Sequence, residues 1–182
     1  MANWKTPGCD LVQNFWIKHL TSLHGRLTET LNHVMNKPEE APEWFTKRKT
    51  TLLFKNGNQK DAKNYRLITC LPTLYKLTTL ILTDMIYSHV VTKNILPVEQ
   101  KGMRRYAKGC KDQLLIDKMI TEDAKKKKRN VSMMWIDYQK AYDSVPHSWI
   151  KHMMKLYKID KTITNFITHL MPTWKTTITL HN

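Results

Sequence analysis

The sequence has little of what marks membrane-spanning, secreted or disulfide-stabilised proteins. No stretch approaches the roughly eighteen uninterrupted apolar residues that a membrane span requires. The first residues contain no apolar signal core, so we expect neither a membrane span nor secretion. The chain has only three cysteines and no Cys-x-x-Cys pair, which argues against a disulfide framework or a zinc site and indicates a reducing compartment.

Acidic residues are also scarce. Fifteen Asp and Glu face thirty Lys and Arg, which leaves a formal net charge of +15. This excess predicts a polyanionic partner, for which nucleic acid is the leading candidate. The eight histidines include two pairs five residues apart, which is not the helical spacing that brings two ligands to one face. The spacing therefore disfavours a histidine metal site.

The pattern of apolar residues predicts a mixture of helices and strands. Apolar residues at three- and four-residue steps predict helices over 11–35 (with a possible break near Gly25), 73–91, 110–124, 148–157 and 159–170. In the helix 110–124 we expect four apolar side chains to point inward: Leu114, Leu115, Met119 and Ile120. Extended segments are predicted over 50–55, 64–72 and 173–180, the first ending at an Asn-Gly-Asn turn. Since the strands are few and separated by helices, the fold class is α+β.

The stretch from Val131 to His147 combines an apolar run with acidic and aromatic residues. It reads V-S-M-M-W-I-D-Y-Q-K-A-Y-D-S-V-P-H, an apolar run that ends at Asp137. Such a run between breakers is typical of a buried strand. A charge at the end of a buried strand is costly unless it is paired, solvated or bound to metal.

Several roles are open to such an aspartate. Asp137 could orient a histidine, ligate Mg²⁺ or cap the next turn. An aromatic five residues later, Tyr142, and the basic surroundings favour a metal-dependent phosphoryl-transfer site. For Asp143 we favour a structural role, as a helix cap or in a salt bridge.

Lys125 to Arg129 form a run of five basic residues before this stretch. A solvated turn is the favoured interpretation of the run. Phosphate contact and a nuclear localisation signal remain alternatives.

Four stretches of the chain carry motifs in a specific order: N-W-K-T-P-G-C-D, T-L-L-F-K-N-G-N-Q-K-D-A-K-N-Y-R-L-I-T-C-L-P, E-Q-K-G-M-R-R-Y-A-K-G-C-K-D-Q-L and W-I-D-Y-Q-K-A-Y-D-S-V-P-H. Together they resemble the ordered motifs of reverse transcriptases from non-LTR (LINE-type) retrotransposons. The last stretch is similar to the first catalytic-aspartate motif of that family, and the first stretch to its N-terminal K-x-P-G-x-D signature. T-L-L-F-K-N-G-N-Q-K-D-A-K-N-Y-R-L-I-T-C-L-P resembles the fingers motif with N-Y-R-P-I, and E-Q-K-G-M-R-R-Y-A-K-G-C-K-D-Q-L the next block with Q-x-G-F-R. Each motif is weak alone, but their order is specific and covers nearly the whole chain.

The resemblance implies the fingers and an incomplete palm of a right-hand polymerase. Residues 1–125 would be the fingers with an N-terminal extension, and 126–182 the first part of the palm. It implies Mg²⁺, or Mn²⁺ in its place, as cofactor. The implied partners are an RNA template, a DNA primer, deoxynucleoside triphosphates and the remainder of the polymerase domain. The implied location is intracellular, and nuclear for a functional protein.

The resemblance also assigns residues. Asp137 would be a metal-binding catalytic aspartate and Tyr142 the aromatic that packs under the nucleotide sugar. Tyr138 would contact substrate beside them. The basic residues implied to contact the triphosphate or the template are Lys55, Arg66, Arg104 and Arg105.

The sequence also departs from the family pattern. Leu67 replaces the proline of N-Y-R-P-I, and Met103 stands where an aromatic is common. No Asp-Asp dipeptide occurs, although the family carries a second aspartate pair in a Tyr/Phe-x-Asp-Asp hairpin. Because two-metal catalysis needs carboxylates from both motifs, we expect these 182 residues alone not to polymerise DNA. A non-catalytic nucleic-acid-binding remnant and a pseudogene product are the alternatives.

Overall fold

The structure is a computed structural model that describes residues 1–179. Within this range the chain forms seven α-helices and three strands. The helices are α1 (Asn14–His19), α2 (His24–Asn36), α3 (Glu43–Thr46), α4 (Thr73–Thr92), α5 (Cys110–Lys126), α6 (His147–Leu156) and α7 (Lys161–Leu170). The strands are β1 (Arg48–Phe54), β2 (Tyr65–Cys70) and β3 (Thr176–Thr179). The expected mixture of helices and strands is confirmed.

The chain divides into two compact units. The first contains Met1–Ser88 and the residues from His147 onward, and the second is His89–Pro146. This division differs from a boundary at residue 125, but whether either part is fingers or palm stays a prediction. None of the helices within residues 1–179 combines the length and hydropathy needed to cross a bilayer.

The first unit contains one mixed sheet with strand order β2-β1-β3. β1 and β2 form an antiparallel hairpin in which Leu53 lies opposite Arg66, whereas β3 pairs with β1 in parallel. Gly57 has a φ of +89° in the connecting turn, as the Asn-Gly-Asn sequence predicts. The predicted strands over 50–55 and 64–72 are therefore confirmed, with shifts of a few residues at their ends. The strand predicted over 173–180 is shorter, and its last residue, Leu180, lies outside the described residues.

A hydroxyl network joins the three strands. The Thr50 side chain is buried, and its Oγ1 lies 2.9 Å from Thr69 Oγ1 and 2.5 Å from Thr176 Oγ1. The guanidinium of Arg48 lies 4.5 Å from the centre of the Trp174 ring, which places a cation over the aromatic face. These contacts attach β3 to a hairpin that precedes it by more than a hundred residues.

The core of the first unit lies among its helices. It is built mainly from the apolar faces of α2, α4, α6 and α7, together with Phe45 from α3. Phe166 and Leu170 are among its most buried side chains, four residues apart on one face of α7. Burial in this core raises the pKa of the Tyr75 hydroxyl.

Local hydrogen bonds set the ends of α6 and α7. The Asp160 carboxylate accepts the N–H groups of Thr162 and Ile163 at 2.8 and 3.4 Å, which caps α7 and lowers the pKa of Asp160. At the end of α6, Lys158 has a φ of +52°, and the N–H of Ile159 donates to the Met154 carbonyl at 2.9 Å. This is a Schellman ending, usually made with glycine. The predicted separation of the two helices near Lys158 is confirmed.

The possible break near Gly25 is confirmed, since Leu20 and a 3₁₀ turn separate α1 from α2, which begins at His24. Two other local expectations were wrong. The segment 131–136 forms no strand, and its apolar side chains are mostly exposed. The four apolar side chains of α5 expected to point inward are also exposed: Leu114, Leu115, Met119 and Ile120. In the last two cases periodicity located the apolar residues, but nothing within the second unit covers them.

Candidate nucleic-acid and metal site

Asp137 lies in the irregular segment that joins α5 to α6. Its carboxylate is exposed and makes no hydrogen bond or ion pair with any residue in 1–179. Because this carboxylate is in contact with solvent, the cost expected for a buried charge does not arise. Its oxygens remain free to bind a ligand.

A single exposed carboxylate fits part of a magnesium site. In nucleotide-binding sites Mg²⁺ commonly takes one or two carboxylates and completes its shell with water and substrate phosphates. Within the described part of the chain, no three His, Cys, Asp or Glu side chains lie close enough to hold a metal ion. Asp137 can therefore act as one ligand of Mg²⁺ or Mn²⁺, with the other ligands supplied from elsewhere.

Two tyrosines accompany Asp137 in the same segment. Tyr138 and Tyr142 are exposed to 74% and 82%. Between them the chain turns, and the Ser144 N–H donates to the Lys140 carbonyl at 3.0 Å. Both rings are open to solvent, so either can pack on a sugar or a base.

Asp143 does not have the structural role that we expected. α6 begins at His147, so Asp143 lies four residues before the first helical residue and is too distant to be its N-cap. Its side chain makes no ion pair or hydrogen bond with the rest of residues 1–179. The expectation of a cap or a salt bridge is therefore wrong.

Lys55 and Arg66 lie together on the β1–β2 hairpin. The N–H of Lys55 donates to the Asn64 carbonyl at 2.8 Å, so pairing continues beyond the last residue of β1. Leu53 is the partner of Arg66, and Lys55 lies two residues after Leu53, where the chain continues beyond the end of β1. Alternate residues of a strand share a face, so the two basic side chains share one face of the hairpin. Both are exposed.

Arg104 and Arg105 lie in the second unit, in the loop before α5. Arg104 Nη1 donates to the Pro97 carbonyl at 3.0 Å, which fixes that side chain across the loop. Arg105 is exposed. The loop also carries Tyr106, which is completely exposed and which the sequence did not single out. Its signal was an aromatic surrounded by basic residues, typical of single-strand binding surfaces.

The predicted site residues lie in three segments of the chain. Lys55 and Arg66 share the hairpin of the first unit, while Asp137, Tyr138 and Tyr142 share one segment of the second. Arg104 and Arg105 form a third group, the loop of the second unit. All seven side chains carry charge or an aromatic ring suited to nucleotides, and their roles stay predictions.

The N-terminal P-G-C-D sequence also has a structural contact that was not foreseen. Asp10 Oδ2 accepts the N–H of Thr73, the first residue of α4, at 2.6 Å. Thr73 Oγ1 donates in turn to the Val12 carbonyl at 2.5 Å. A Cβ at Gly8 would lie 2.3 Å from the carbonyl carbon of Leu71, so only glycine fits there. These residues join the N-terminal segment to the junction between β2 and α4.

Comparison with known proteins relates this chain to a family. The family model described as reverse transcriptase (RNA-dependent DNA polymerase) matches residues 54–181, a range that includes all seven predicted site residues. The retrovirus-related Pol polyprotein from type-1 retrotransposable element R2 of Popillia japonica is 30% identical over 137 residues. This alignment covers 75% of the chain but 19% of the relative, so the chain spans about a fifth of that protein's length.

The matched range includes Lys55 and Arg66 of the hairpin, the basic loop and the segment that contains Asp137. The relative is the Pol polyprotein of a type-1 retrotransposable element. The chain belongs to the reverse transcriptase family, in its non-LTR retrotransposon group.

Proposed function

We propose that this chain is a segment of an RNA-directed DNA polymerase that adds deoxynucleotides to a DNA primer on an RNA template. The observation that supports this most is the position of Asp137. It lies within the family match and presents an exposed carboxylate just before two exposed tyrosines, Tyr138 and Tyr142. Carboxylates near nucleotide phosphates are the usual protein ligands of Mg²⁺ in phosphoryl transfer.

Each predicted residue has a role in this proposal. Asp137 holds Mg²⁺, or Mn²⁺ in its place, and a bound divalent ion neutralises charge on the phosphoryl oxygens. Tyr142 packs under the deoxyribose, where a ribose 2′-hydroxyl would not fit, and Tyr138 contacts substrate next to it. The cations neutralise triphosphate and template phosphates: Lys55, Arg66, Arg104 and Arg105.

We further propose that these residues do not suffice for catalysis. A two-metal mechanism clamps the attacking and leaving oxygens between ions held by several carboxylates. The sequence contains no Asp-Asp dipeptide, so the second set would come from another part of a polymerase. The exposed apolar side chains of α5 offer a surface against which such a part could pack. For a functional polymerase of this kind, we propose a nuclear location.

Metal binding tests the role of Asp137 directly. We expect Mn²⁺ with a deoxynucleoside triphosphate to broaden the NMR amide signals around residue 137 in the wild type. Asp137→Asn should abolish this broadening because a neutral amide binds the ion poorly. Asp143→Asn is the matched control, since Asp143 is also exposed and lies six residues away, and it should retain the effect. Equal broadening in both variants would contradict the assignment.

Primer extension tests whether the chain is sufficient. With an RNA template and Mg²⁺ or Mn²⁺, we expect no template-dependent product from the purified chain. Extension that Asp137→Asn abolishes would show that the chain is a complete polymerase with Asp137 as its catalytic residue. It would overturn the proposal that further carboxylates are needed.

A second candidate function is non-catalytic nucleic-acid binding, favoured by the net charge of +15. Neutralisation of phosphates predicts affinity that falls steeply with salt. Replacing Lys55 or Arg66 should each reduce the slope of log affinity against log salt by about one. Asp137→Asn should bind nucleic acid no less tightly than the wild type, because it removes a negative charge.

A further inference from the structure

Tyr106 is an aromatic residue whose position the fold does not explain. Its side chain is 103% exposed, so it gains nothing from burial. Its backbone has a φ of +64°, in the left-handed region that a bulky L-residue rarely adopts. A residue that packs against nothing and strains its backbone suggests a function outside folding.

The loop nevertheless presents this ring in a defined place. The Ala107 N–H donates to the Arg104 carbonyl at 3.3 Å and closes a turn with Tyr106 at its third position. The loop is anchored at one end by Gln113 Nε2, which donates to the Glu99 carbonyl at 3.0 Å. The Arg104 side chain also donates a hydrogen bond to the Pro97 carbonyl, at 3.0 Å. An anchored loop loses less conformational entropy when a ligand binds.

The loop around the ring is mostly basic, although Glu99 and Asp112 border it and the Asp112 carboxylate accepts the Lys108 N–H at 3.2 Å. From Gln100 to Lys111 the sequence contains no Asp or Glu and five basic residues: Lys101, Arg104, Arg105, Lys108 and Lys111. Basic side chains that neutralise a phosphate backbone beside an aromatic that stacks on bases are the combination used for single-stranded nucleic acid. In a duplex the bases are paired and stacked on one another, so an exposed ring has no free base face to contact.

We infer that Tyr106 stacks on an unpaired base in a single-stranded nucleic-acid subsite, which the ring forms together with the basic side chains of residues 100–111. The loop cations neutralise the flanking phosphates, while the ring contacts the base without reading its identity. The inference rests on the proposed function, because it requires that the chain bind nucleic acid. The ligand is an unpaired polynucleotide, a description that fits both RNA and DNA, and the two are tested separately.

The loop itself provides a matched control. Met103 is 88% exposed and has a φ of +58°, so it shares the exposure and the backbone conformation of Tyr106 but has no aromatic ring. Fluorescence anisotropy would compare the wild type with Tyr106→Ala, Tyr106→Phe and Met103→Ala. The labelled ligands would be oligoadenylate RNA, the matching DNA and an RNA duplex.

Because Tyr106→Ala loses the stacking interaction with one base, it should bind single strands at least about fivefold more weakly than the wild type. The single-strand affinities of Tyr106→Phe and Met103→Ala should remain within about twofold of the wild type. The first variant keeps the aromatic ring, and the second does not remove an aromatic ring. Duplex affinity should not change. The slope of log affinity against log salt should also stay the same, because no cation is lost. Comparison of the RNA and DNA ligands shows which of the two nucleic acids the subsite prefers.

Two kinds of failure are distinguishable. Equal losses in Tyr106→Ala and Met103→Ala, or an equal loss on single strand and duplex, would overturn the stacking role while nucleic-acid binding stands. If the wild type showed no salt-dependent binding of nucleic acid, the proposed function would be contradicted as well. If Tyr106→Ala loses its far-ultraviolet circular dichroism, photocross-linking of wild type to 5-iodouridine RNA decides the matter. Attachment at Tyr106 is expected, and attachment only elsewhere in the chain would refute the inference.

Discussion

Lys158 illustrates a residue whose backbone conformation suits another amino acid. It ends α6 with a φ of +52°, and its side chain is exposed. A left-handed conformation costs an L-residue roughly 1–2 kcal/mol, which glycine does not incur. We therefore expect Lys158→Gly to raise the free energy of unfolding by up to about 1 kcal/mol, after allowing for the added freedom of the unfolded chain. Urea denaturation followed by circular dichroism would measure the change.

A lysine in the middle of the same helix is the control. Lys151 is also exposed but has helical backbone, so Lys151→Gly should lower the free energy of unfolding by about 1 kcal/mol. If both glycine variants were destabilised alike, the conformation assigned to Lys158 would be wrong. The helix ending at Lys158 was predictable from periodicity, but its left-handed geometry was not, because no glycine marks it. For the same reason, the left-handed backbone conformation of Tyr106 could not be foreseen.

At the scale of elements, the N-terminal segment and α4 are held together by hydrogen bonds that a local pattern does not reveal. Asp10 accepts the first N–H of α4 from a position 63 residues earlier. Loss of that acceptor leaves a partly buried N–H unsatisfied, which costs about 1–3 kcal/mol. We expect Asp10→Ala to lower the free energy of unfolding by about this amount, measured by chemical denaturation.

Asp61 offers a matched comparison. Its carboxylate also accepts a backbone N–H, that of Lys63 at 3.1 Å, but in an exposed turn where water can replace it. Asp61→Ala should therefore be nearly neutral. A loss in Asp10→Ala no larger than in Asp61→Ala would contradict the proposed junction between the N-terminal segment and α4.

The elements differ in how well the sequence predicted them. The β1–β2 hairpin was predictable because Asn56-Gly57-Asn58 is strong local turn chemistry between two extended runs. The apolar run 131–136 was assigned to a strand although it forms none, since composition cannot tell what covers a segment. The parallel pairing of β3 with β1 joins residues that are distant in sequence, and no local signal specifies it. In the candidate site the residue types were predictable from the motifs, whereas the exposure of Asp137 was not.

At the scale of the whole molecule, the two units differ in how much apolar surface they bury. The hydrophobic core lies entirely in the first unit. In the described residues of the second unit, Val90 and Ala124 are the only buried apolar side chains, while large ones on α5 are exposed. Because burial of apolar area is the main source of stability, the two units should not be equally stable. Net charge and composition describe the chain as a whole and could not reveal this difference.

Hydrogen exchange would measure that difference. We expect backbone amides of α5 to exchange through local opening, at rates that depend weakly on denaturant. Amides of α7, which carries Phe166 and Leu170 in the core, should exchange only through opening of the first unit and with a stronger denaturant dependence. Mass spectrometry of peptides from both helices at several low urea concentrations provides the comparison within one sample. Identical protection and identical urea dependence for α5 and α7 would show that the chain unfolds as one cooperative body, against the division into two units.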